Sequence, residues 1–224
     1  MIRVLVCDDQ ELVRAGFRMI LQLADDIDVV GEAADGAACL RKVAELSPDV
    51  VLMDVRMPTM DGIEATRRLV ASGSPVRVLV LTTFDLDQHV YDAMRVGASG
   101  FLLKDVPREQ LVAAVRMVAR GDAVLAPAVV TRLVARFVAE PPPATGVPDA
   151  LTVLSARELE VFGHLARGAS NAEIAQDLFL GEATVKTHVA RILAKLGVRD
   201  RVQAVVLAYE SGYLRRGGRR VDQP

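Results

Sequence analysis

Polar side chains that suit phosphate chemistry follow four short apolar segments in the first half of the chain. Asp8 and Asp9 come directly after "RVLVC", and Asp54 comes directly after "VVLM". Thr82 follows "VLVL", and Lys104 follows "GFLL". Clustered carboxylates repel each other unless a cation that prefers oxygen ligands, such as Mg²⁺, neutralises them. A lysine and a threonine beside such a cluster can bind phosphoryl oxygens, and an aspartate can act as the nucleophile.

The apolar segments are predicted to be parallel strands that bring these side chains together. They alternate with segments of helical periodicity and show little polar alternation of their own. This pattern is typical of an α/β doubly wound fold, here with a parallel five-stranded sheet, whose ligands bind at the carboxyl ends of the strands. The predicted strands are residues 3–7, 29–33, 50–53, 76–81 and 100–103, and the predicted helices lie near 11–23, 36–46, 62–72, 86–96 and 108–120.

Composition and charge predict a globular chain with two functional parts. The 224 residues are 51% hydrophobic and 25% charged, with a formal net charge of −2. Residues 1–121 carry about −4 and residues 151–224 about +3. Cys7 and Cys39 fall in apolar positions, which predicts buried free thiols in a reducing compartment. Without a signal-peptide pattern or the ~20 apolar residues of a membrane helix, a cytoplasmic protein with no membrane partner is expected.

Residues 1–121 resemble the receiver domain of bacterial two-component response regulators, which has a flavodoxin-like fold. The motifs that carry the resemblance are "CDDQELVRAGF", "VVLMDVRMPTMDG", "VLVLTTFD" and "GASGFLLKD". The resemblance implies that Asp54 is the phosphoacceptor and takes the phosphoryl group from a phosphohistidine on a sensor histidine kinase. It also implies that Asp9, Asp54 and the backbone carbonyl of Arg56 hold Mg²⁺ or Mn²⁺, with Asp8 acting through water.

The same resemblance implies a conformational switch. Thr82 and Lys104 would bind the phosphoryl oxygens, and Phe101 stands at the position of the switch aromatic. Movement of Thr82 toward the phosphoryl group would let Phe101 rotate and would change the surface around the fifth predicted strand. Such a protein takes part in its own phosphotransfer and autodephosphorylation, but it is not a dedicated enzyme.

Two other classes of protein share parts of this pattern. A phosphatase or phosphotransferase of the haloacid-dehalogenase type also uses an aspartate nucleophile, but it carries a second aspartate two residues later, where this chain has Arg56. The alternative function is a phosphorylation-independent transcriptional regulator that is controlled by partner binding. The complete set of pocket residues disfavours this alternative and leaves it open.

A proline-rich segment separates the two parts of the chain. Residues 139–151, "AEPPPATGVPDAL", contain four prolines, and three consecutive prolines are incompatible with a helix. Residues 127–140 have the periodicity of an amphipathic helix. The predicted organisation is a first domain at 1–121, a linker helix and proline-rich linker at 122–150, a second domain at 151–216 and a mobile tail at 217–224.

The second part predicts a small all-α domain with a helix-turn-helix at about residues 171–190. Ser155 with Glu158, and Ser170 with Glu173, have the spacing of capping boxes at two helix starts. A third helix follows a turn that contains glycine, although a helical bundle that binds no DNA has the same pattern. Its apolar stripe is predicted to contain Val185, Val189, Ile192 and Leu196, and its opposite face Ala183, Thr187, Ala190, Arg191 and Ala194, flanked by Lys186 and Lys195.

Residues 150–214 resemble the LuxR-type helix-turn-helix of the NarL/FixJ family. The motifs are "LSARELEV", "GASNAEIAQDLFLGEATVKTHVARILAKLGVRDRVQAV" and "ESGYL". The resemblance implies promoter DNA as a partner, which would be bound through its major groove at dyad half-sites. The residues implied to face base edges are Lys186, Thr187 and Ala190, and those implied to contact the DNA backbone are Thr184, Arg191 and Arg199.

Together, the two resemblances predict a DNA-binding response regulator of a two-component system. Phosphorylation of Asp54 would switch dimerisation and promoter binding, so the implied partners are the kinase, DNA and a second copy of the chain. RNA polymerase is a further candidate partner. A dimer face is predicted on the last helix, at Val202, Val205, Val206 and Tyr209.

Overall fold

The computed structural model of the protein describes residues 1–82, 92–122, 124–125 and 149–214. The chain divides into two compact units, Met1–Val129 and Val130–Pro224. The predicted linker helix, most of the proline-rich linker, the tail and the first part of the predicted helix 86–96 lie outside the described residues, and residues 92–95 are helical. In the ranges described, no helix has the length and apolar character needed to cross a membrane.

The first unit contains the predicted parallel sheet. The predicted strands are all present, with bounds within two residues of those expected. A further strand of two residues extends the sheet beyond the last predicted strand, and so short a segment has no periodicity from which it could be predicted. The strands are β1 (Ile2–Cys7), β2 (Ile27–Ala33), β3 (Val50–Asp54), β4 (Arg77–Thr82), β5 (Gly100–Leu103) and β6 (Val124–Leu125), in the order β2-β1-β3-β4-β5-β6 with every neighbouring pair parallel.

Helices cover both faces of this sheet. On one face, Phe17 of the first helix and Val115 of the last share a core with Val4 and Val6 of β1. Side chains alternate along a strand, so Leu5 faces the opposite side, where the second helix contacts β1 and β2. Burial on both faces explains why the strand segments are uninterrupted apolar runs. The described helices are α1 (Glu11–Gln22), α2 (Gly36–Leu46), α3 (Gly62–Ala71) and α4 (Arg108–Ala119).

The second unit is a bundle of helices over residues 149–214. Both predicted capping boxes are confirmed, since Ser155 with Glu158 and Ser170 with Glu173 exchange both hydrogen bonds at the helix starts. Gly181 begins the third helix without a side-chain cap. After a short 3-10 turn at Asp149–Leu151, the helices are α5 (Ala156–Ala166), α6 (Asn171–Asp177), α7 (Glu182–Leu196) and α8 (Arg201–Glu210).

Candidate functional site

The strand register places the polar residues of the first unit at one edge of the sheet. The residues that follow the last registered pair of β1 and β3 are Asp8 and Asp54, so the two aspartates are neighbours. β4 ends at Thr82, whose carbonyl accepts a hydrogen bond of 2.7 Å from the backbone N–H of Lys104. The parallel topology thus brings together side chains that are far apart in the sequence, at the edge where doubly wound sheets bind ligands.

Three carboxylates and one ammonium group meet at this edge. Carboxylate oxygens of Asp8, Asp9 and Asp54 lie within 4.8 Å of one another. Lys104 Nζ lies 2.7 Å from Asp8 Oδ2 and 3.0 Å from Asp54 Oδ1. Asp8 and Asp54 are buried, whereas Asp9 is exposed. A single lysine therefore faces three acidic groups, and the cluster has an excess of negative charge.

Backbone N–H groups hold one oxygen of each buried aspartate. Gln10 donates to Asp8 Oδ1 at 2.9 Å, and Val55 donates to Asp54 Oδ1 at 2.8 Å. Asp8 Oδ2 is buried, and its ion-pair partner is Lys104 Nζ at 2.7 Å. Three clustered carboxylates that exceed the charge of the neighbouring lysine fit a hard divalent cation such as Mg²⁺ or Mn²⁺.

The excess of negative charge is reflected in the pKa values of the pocket. Burial raises the pKa of Asp54, because Lys104 and the N–H of Val55 offset the loss of solvation only in part. Burial acts to lower the pKa of Lys104, but the neighbouring carboxylates of Asp8 and Asp54 outweigh it and raise that pKa. Lys104 is therefore firmly cationic, while the ionised form of Asp54 is under-compensated and would be stabilised by an additional cation.

The remaining predicted residues of the pocket lie close to it. Thr82 and Phe101 are each 1% exposed, and Phe101 is registered opposite Val80 of β4. Phe101 is thus already buried in this structure, and its role as a switch stays a prediction. The side chain of Arg56 is exposed on the loop after β3, where its carbonyl is the expected ligand.

One backbone contact behind Asp54 was not predicted from the sequence. Gly62, the first residue of α3, lies so close to β3 that a Cβ at this position would be 2.0 Å from the carbonyl oxygen of Asp54. Only glycine permits this approach of two backbone segments. The sequence signal was available, since Gly62 directly follows Asp61, whose side chain caps α3.

A second contact missed by the sequence analysis holds the loop that carries Asp8 and Asp9. Arg14 Nη1 donates to the carbonyl oxygens of Asp8 and Asp9 at 2.8 and 3.2 Å, and Arg14 Nε lies 3.2 Å from Glu32 Oε2. Side chains of a helix lean toward its N-terminus, so an arginine one turn into α1 can reach back over the preceding loop.

The two cysteines lie beside this pocket as buried free thiols, as predicted. Cys7 Sγ lies 3.4 Å from Met57 Sδ. A hydrogen bond with Cys39, together with burial, raises the pKa of Cys7. A thiol that resists ionisation in this way is a poor nucleophile, which supports a packing role.

In the second unit, the outward face of α7 carries residues that were expected to meet DNA. Val185 and Ile192 are buried beneath this face. The hydroxyl of Thr187 donates to the carbonyl of Ala183 at 3.0 Å, so its oxygen can still accept a hydrogen bond. His188 Nδ1 is buried without a hydrogen-bond partner among the residues described. The residues expected to contact DNA from this helix are all exposed, as are Ala183 and Ala194 of the same face: Thr184, Lys186, Thr187, Ala190 and Arg191.

Two cations at the end of this face are engaged within the domain. Lys195 Nζ lies 2.6 Å from Glu158 Oε2 and links α7 to α5. Arg199 is half-buried, and its Nε lies 3.4 Å from Asp200 Oδ2. Lys195 therefore stabilises the bundle, and the implied contact of Arg199 with the DNA backbone stays a prediction.

The predicted dimer face on α8 is wrong for its three valines. Val202, Val205 and Val206 are 0%, 7% and 5% exposed within a single chain, and Tyr209 is half-buried. α8 is apolar around most of its circumference, so its sequence pattern could not distinguish the core from an exposed face.

Comparisons with known proteins agree with both units. Residues 4–116 match the response regulator receiver domain, and residues 152–208 match the bacterial regulatory proteins of the luxR family. The chain is 42% identical over 212 residues to the uncharacterized transcriptional regulatory protein YxjL of Bacillus subtilis (strain 168). The aligned region covers 94% of this chain and 96% of that protein.

Solved structures give the same result. The response regulator ChrA of a heme-sensing two-component system is 43% identical, with 95% of this chain and 98% of that chain covered and a TM-score of 0.53. The receiver domain of the response regulator NarL from Mycobacterium tuberculosis is 44% identical, with 54% of this chain and 97% of that chain covered and a TM-score of 0.52. The chain therefore belongs to the NarL/FixJ-type response regulators, as a DNA-binding response regulator of a two-component system.

Proposed function

We propose that the protein regulates transcription in response to phosphorylation of Asp54 by a sensor histidine kinase. The observation that carries the proposal is the buried pocket in which Asp54 lies 3.0 Å from Lys104, with Asp8 and Asp9 beside it. A carboxylate with a purely structural role would be expected to have partners that balance its charge and lower its pKa. The pKa of Asp54 is instead raised by burial. This arrangement suits a carboxylate that reacts with an incoming group.

The pocket would hold Mg²⁺ or Mn²⁺ through Asp9, Asp54 and the backbone carbonyl of Arg56, with Asp8 acting through water. The cluster of three carboxylates, whose oxygens lie within 4.8 Å of one another, supports this set of ligands. When bound, the cation neutralises the carboxylates and balances the charge of the phosphoryl oxygens.

Phosphoryl transfer would use the second oxygen of Asp54. Oδ1 already accepts the hydrogen bond from Val55 and lies beside Lys104, so Oδ2 is the atom that bonds to phosphorus. As this bond forms, the bond between phosphorus and the kinase histidine breaks in line with it. The ammonium of Lys104 and the hydroxyl of Thr82 then bind phosphoryl oxygens through charge-assisted and neutral hydrogen bonds.

The signal would leave the pocket through β4 and β5. Thr82 ends β4, and Phe101 of β5 is registered opposite Val80, two residues earlier on β4. Movement of Thr82 toward the phosphoryl group would therefore alter the packing around Phe101 and the surface above β5. Proteins use a modification in this way to shift the population of two states.

The output would be promoter binding by a homodimer. The exposed face of α7 supports a fit into the major groove, with Lys186, Thr187 and Ala190 toward base edges. Thr184, Arg191 and Arg199 would contact the DNA backbone. A dimer that places two α7 helices about one helical turn apart would read dyad half-sites, and phosphorylation would favour that dimer. A regulator that binds promoters in this way would have RNA polymerase as a further partner and would act in the cytoplasm.

Small-molecule phosphorylation tests the pocket. The protein is incubated with acetyl phosphate and Mg²⁺, and the phosphorylated fraction is measured on a phosphate-affinity gel. We expect a shifted band for the wild type and for Asp61→Asn, because asparagine retains the helix cap outside the pocket. Asp54→Asn should give no shifted band, because an amide oxygen is not a comparable nucleophile. A full-strength, hydroxylamine-labile phosphate signal in Asp54→Asn would overturn the assignment.

DNA binding tests the output domain. Fluorescence anisotropy at several salt concentrations compares Lys186→Ala and Arg191→Ala with Arg116→Ala, which removes an exposed cation of the other unit. If Lys186 contacts a base, its loss should cost about 1–3 kcal/mol and relax specificity at that base pair. If it contacts phosphate, the salt slope should fall by about one unit for every sequence tested. Unchanged affinity in both α7 variants would show that α7 is not the reading helix.

A further inference from the structure

The loop between β1 and α1 presents two of the three carboxylates of the pocket, and Arg14 holds this loop from behind. Within the described residues, no hydrogen bond fixes the carboxylate of Asp9, so its position depends on its backbone. Arg14 Nη1 donates to the carbonyl oxygens of both Asp8 and Asp9, at 2.8 and 3.2 Å. One guanidinium group therefore sets the path of the backbone at both acidic residues.

Glu32 of β2 fixes the other side of this guanidinium. Its carboxylate lies 3.2 Å from Arg14 Nε and 2.6 Å from Arg18 Nε. The side chain of Arg14 is only 14% exposed, so its orientation is restricted by packing as well as by its partners. Although partial burial favours the neutral acid, hydrogen bonds from Arg18 and Arg14 lower the pKa of Glu32, so the anchor is ionised at neutral pH.

Arginine is suited to this role in a way that lysine is not. A planar guanidinium has donors pointing in fixed directions, so it can bind a carboxylate on one side and two carbonyls on the other. An ammonium group on a flexible chain cannot span all three acceptors at once. Arg18 makes the contact with Glu32 but no contact with the loop among the described residues, so it is a matched control on the same helix.

We propose that Arg14, anchored by Glu32, is a positioning residue that holds Asp8 and Asp9 in the geometry required to bind the divalent cation. This inference rests on the proposed cation-dependent phosphorylation and identifies residues outside the pocket that make it competent. Groups that orient metal ligands typically contribute 10- to 100-fold to metal affinity.

The sign of the effect separates positioning from simple charge. A guanidinium near the loop repels a second cation, so removing its charge should by itself tighten Mg²⁺ binding. If Arg14 positions the ligands, its removal should weaken Mg²⁺ binding despite that gain. Arg18→Gln removes a positive charge from the same helix and leaves both the loop contacts and the pair between Arg14 and Glu32 in place, so it reports the effect of charge without loss of the loop contacts.

Isothermal titration calorimetry of Mg²⁺ into the full-length protein tests this inference. We expect Arg14→Gln to weaken Mg²⁺ affinity by about 10-fold or more, Arg14→Lys to weaken it by less, and Arg18→Gln to leave it unchanged or slightly tighter. Circular dichroism and the melting temperature without Mg²⁺ show whether each variant is folded. If Arg14→Gln is not folded, Arg14→Lys is the variant that tests the inference. Equal Mg²⁺ affinity in the folded Arg14 variants and Arg18→Gln would overturn the role of Arg14 while leaving the proposed function intact. A wild type that binds no Mg²⁺ would overturn both.

Discussion

Asp54 of the first unit and Glu158 of the second are buried to nearly the same extent, at 6% and 5% exposed, yet their pKa values move in opposite directions. The ion pair with Lys195 and the hydrogen bonds of the capping box lower the pKa of Glu158 to about 2. Burial raises the pKa of Asp54, which shares Lys104 with Asp8. Loss of solvation is the largest influence on the pKa of Asp54, whereas at Glu158 the hydrogen-bonding partners outweigh it.

The difference lies in how the oxygens are satisfied. Glu158 accepts from the backbone of Ser155 at 2.8 Å and from Lys195 at 2.6 Å, and these partners come from its own helix start and from α7. At the carboxyl ends of the strands, the carboxylates of Asp8, Asp9 and Asp54 cluster beside Lys104, which pairs with both Asp8 and Asp54. Glu158 stabilises a fold, whereas the pocket retains the unbalanced charge that a cation and a phosphoryl group would use.

The largest effect is expected for Lys104→Met, which removes the ammonium group that pairs with both Asp8 and Asp54. Asp8 and Asp54 would remain buried without this cationic partner, although a backbone N–H still donates to each, and breaking a buried ion pair in this way typically costs about 3–5 kcal/mol. We expect the free energy of unfolding of the first domain, measured by urea denaturation with a chelator present, to fall by about that amount. Added Mg²⁺ should restore part of the loss, because it supplies positive charge to the same carboxylates.

Arg116→Ala is the control for this prediction. It breaks a pair with Asp26 whose side chains are 41% and 49% exposed, and exposed ion pairs contribute ~1 kcal/mol or less. Equal losses of unfolding free energy for Lys104→Met and Arg116→Ala would mean that solvent screens the charges of the pocket. Asp54 would then not differ from Glu158 in the way described above.

Much of the first unit could be predicted because its signals are local and strong. The apolar runs of β1 and β3 predicted buried parallel strands, and parallel strands necessarily bring Asp8 and Asp54 to one edge. The capping boxes of Ser155 and Ser170 could be predicted for the same reason, since both partners lie within four residues.

The features that were missed depend on contacts between distant residues. Lys195 was placed on an exposed flank of α7, but its partner Glu158 is 37 residues away in the sequence. The valines of α8 were assigned to a dimer face, because a pattern of apolar residues does not indicate which face the core will cover. Arg14 was missed because it donates hydrogen bonds to backbone carbonyls, and a motif of side-chain types does not indicate such contacts.

A smaller effect is expected for Glu158→Gln, with a pH dependence that identifies its cause. Glutamine retains the capping box but loses the charge that pairs with Lys195. The folded-state pKa of about 2 lies below the ordinary value of 4.5, so the stabilisation is complete above about pH 4.5 and is lost as the pH falls toward 2. Hydrogen exchange of α5 and α7 amides should therefore be faster in Glu158→Gln than in the wild type at pH 7.

The acid limit and a second glutamate check that interpretation. The stability difference between Glu158→Gln and the wild type, measured by urea denaturation, should shrink as the pH falls below 4.5 and be mostly lost near pH 2, where the wild-type carboxyl is about half protonated. Glu173→Gln alters the equivalent residue of the other capping box, which is exposed and has no lysine partner in the described residues, and its effect at pH 7 should be smaller. A difference that persists at pH 2 would assign the effect to packing.

The smallest effect, and the one of opposite sign, is expected for Asp54→Asn. The folded-state pKa of Asp54 is raised, so at low pH the folded state holds the proton more tightly than the unfolded state, and stability falls as the pH rises through the interval above 3.8. At pH 7 the ionised carboxylate therefore destabilises the fold, and an uncharged asparagine should raise the melting temperature of the first domain. The rise should not exceed about 4 °C, the shift that ~1 kcal/mol produces in a domain of this size, because Lys104 keeps Asp8 as a partner.

Calorimetry without Mg²⁺ measures this rise in melting temperature, with Asp61→Asn as the control that keeps its helix cap. Mg²⁺ should reverse the order by stabilising the wild type more than Asp54→Asn, since only the wild type offers all three carboxylates. A lower melting temperature for Asp54→Asn at pH 7 and an equal one near pH 3 would show that the charge of Asp54, like that of Glu158, stabilises the fold.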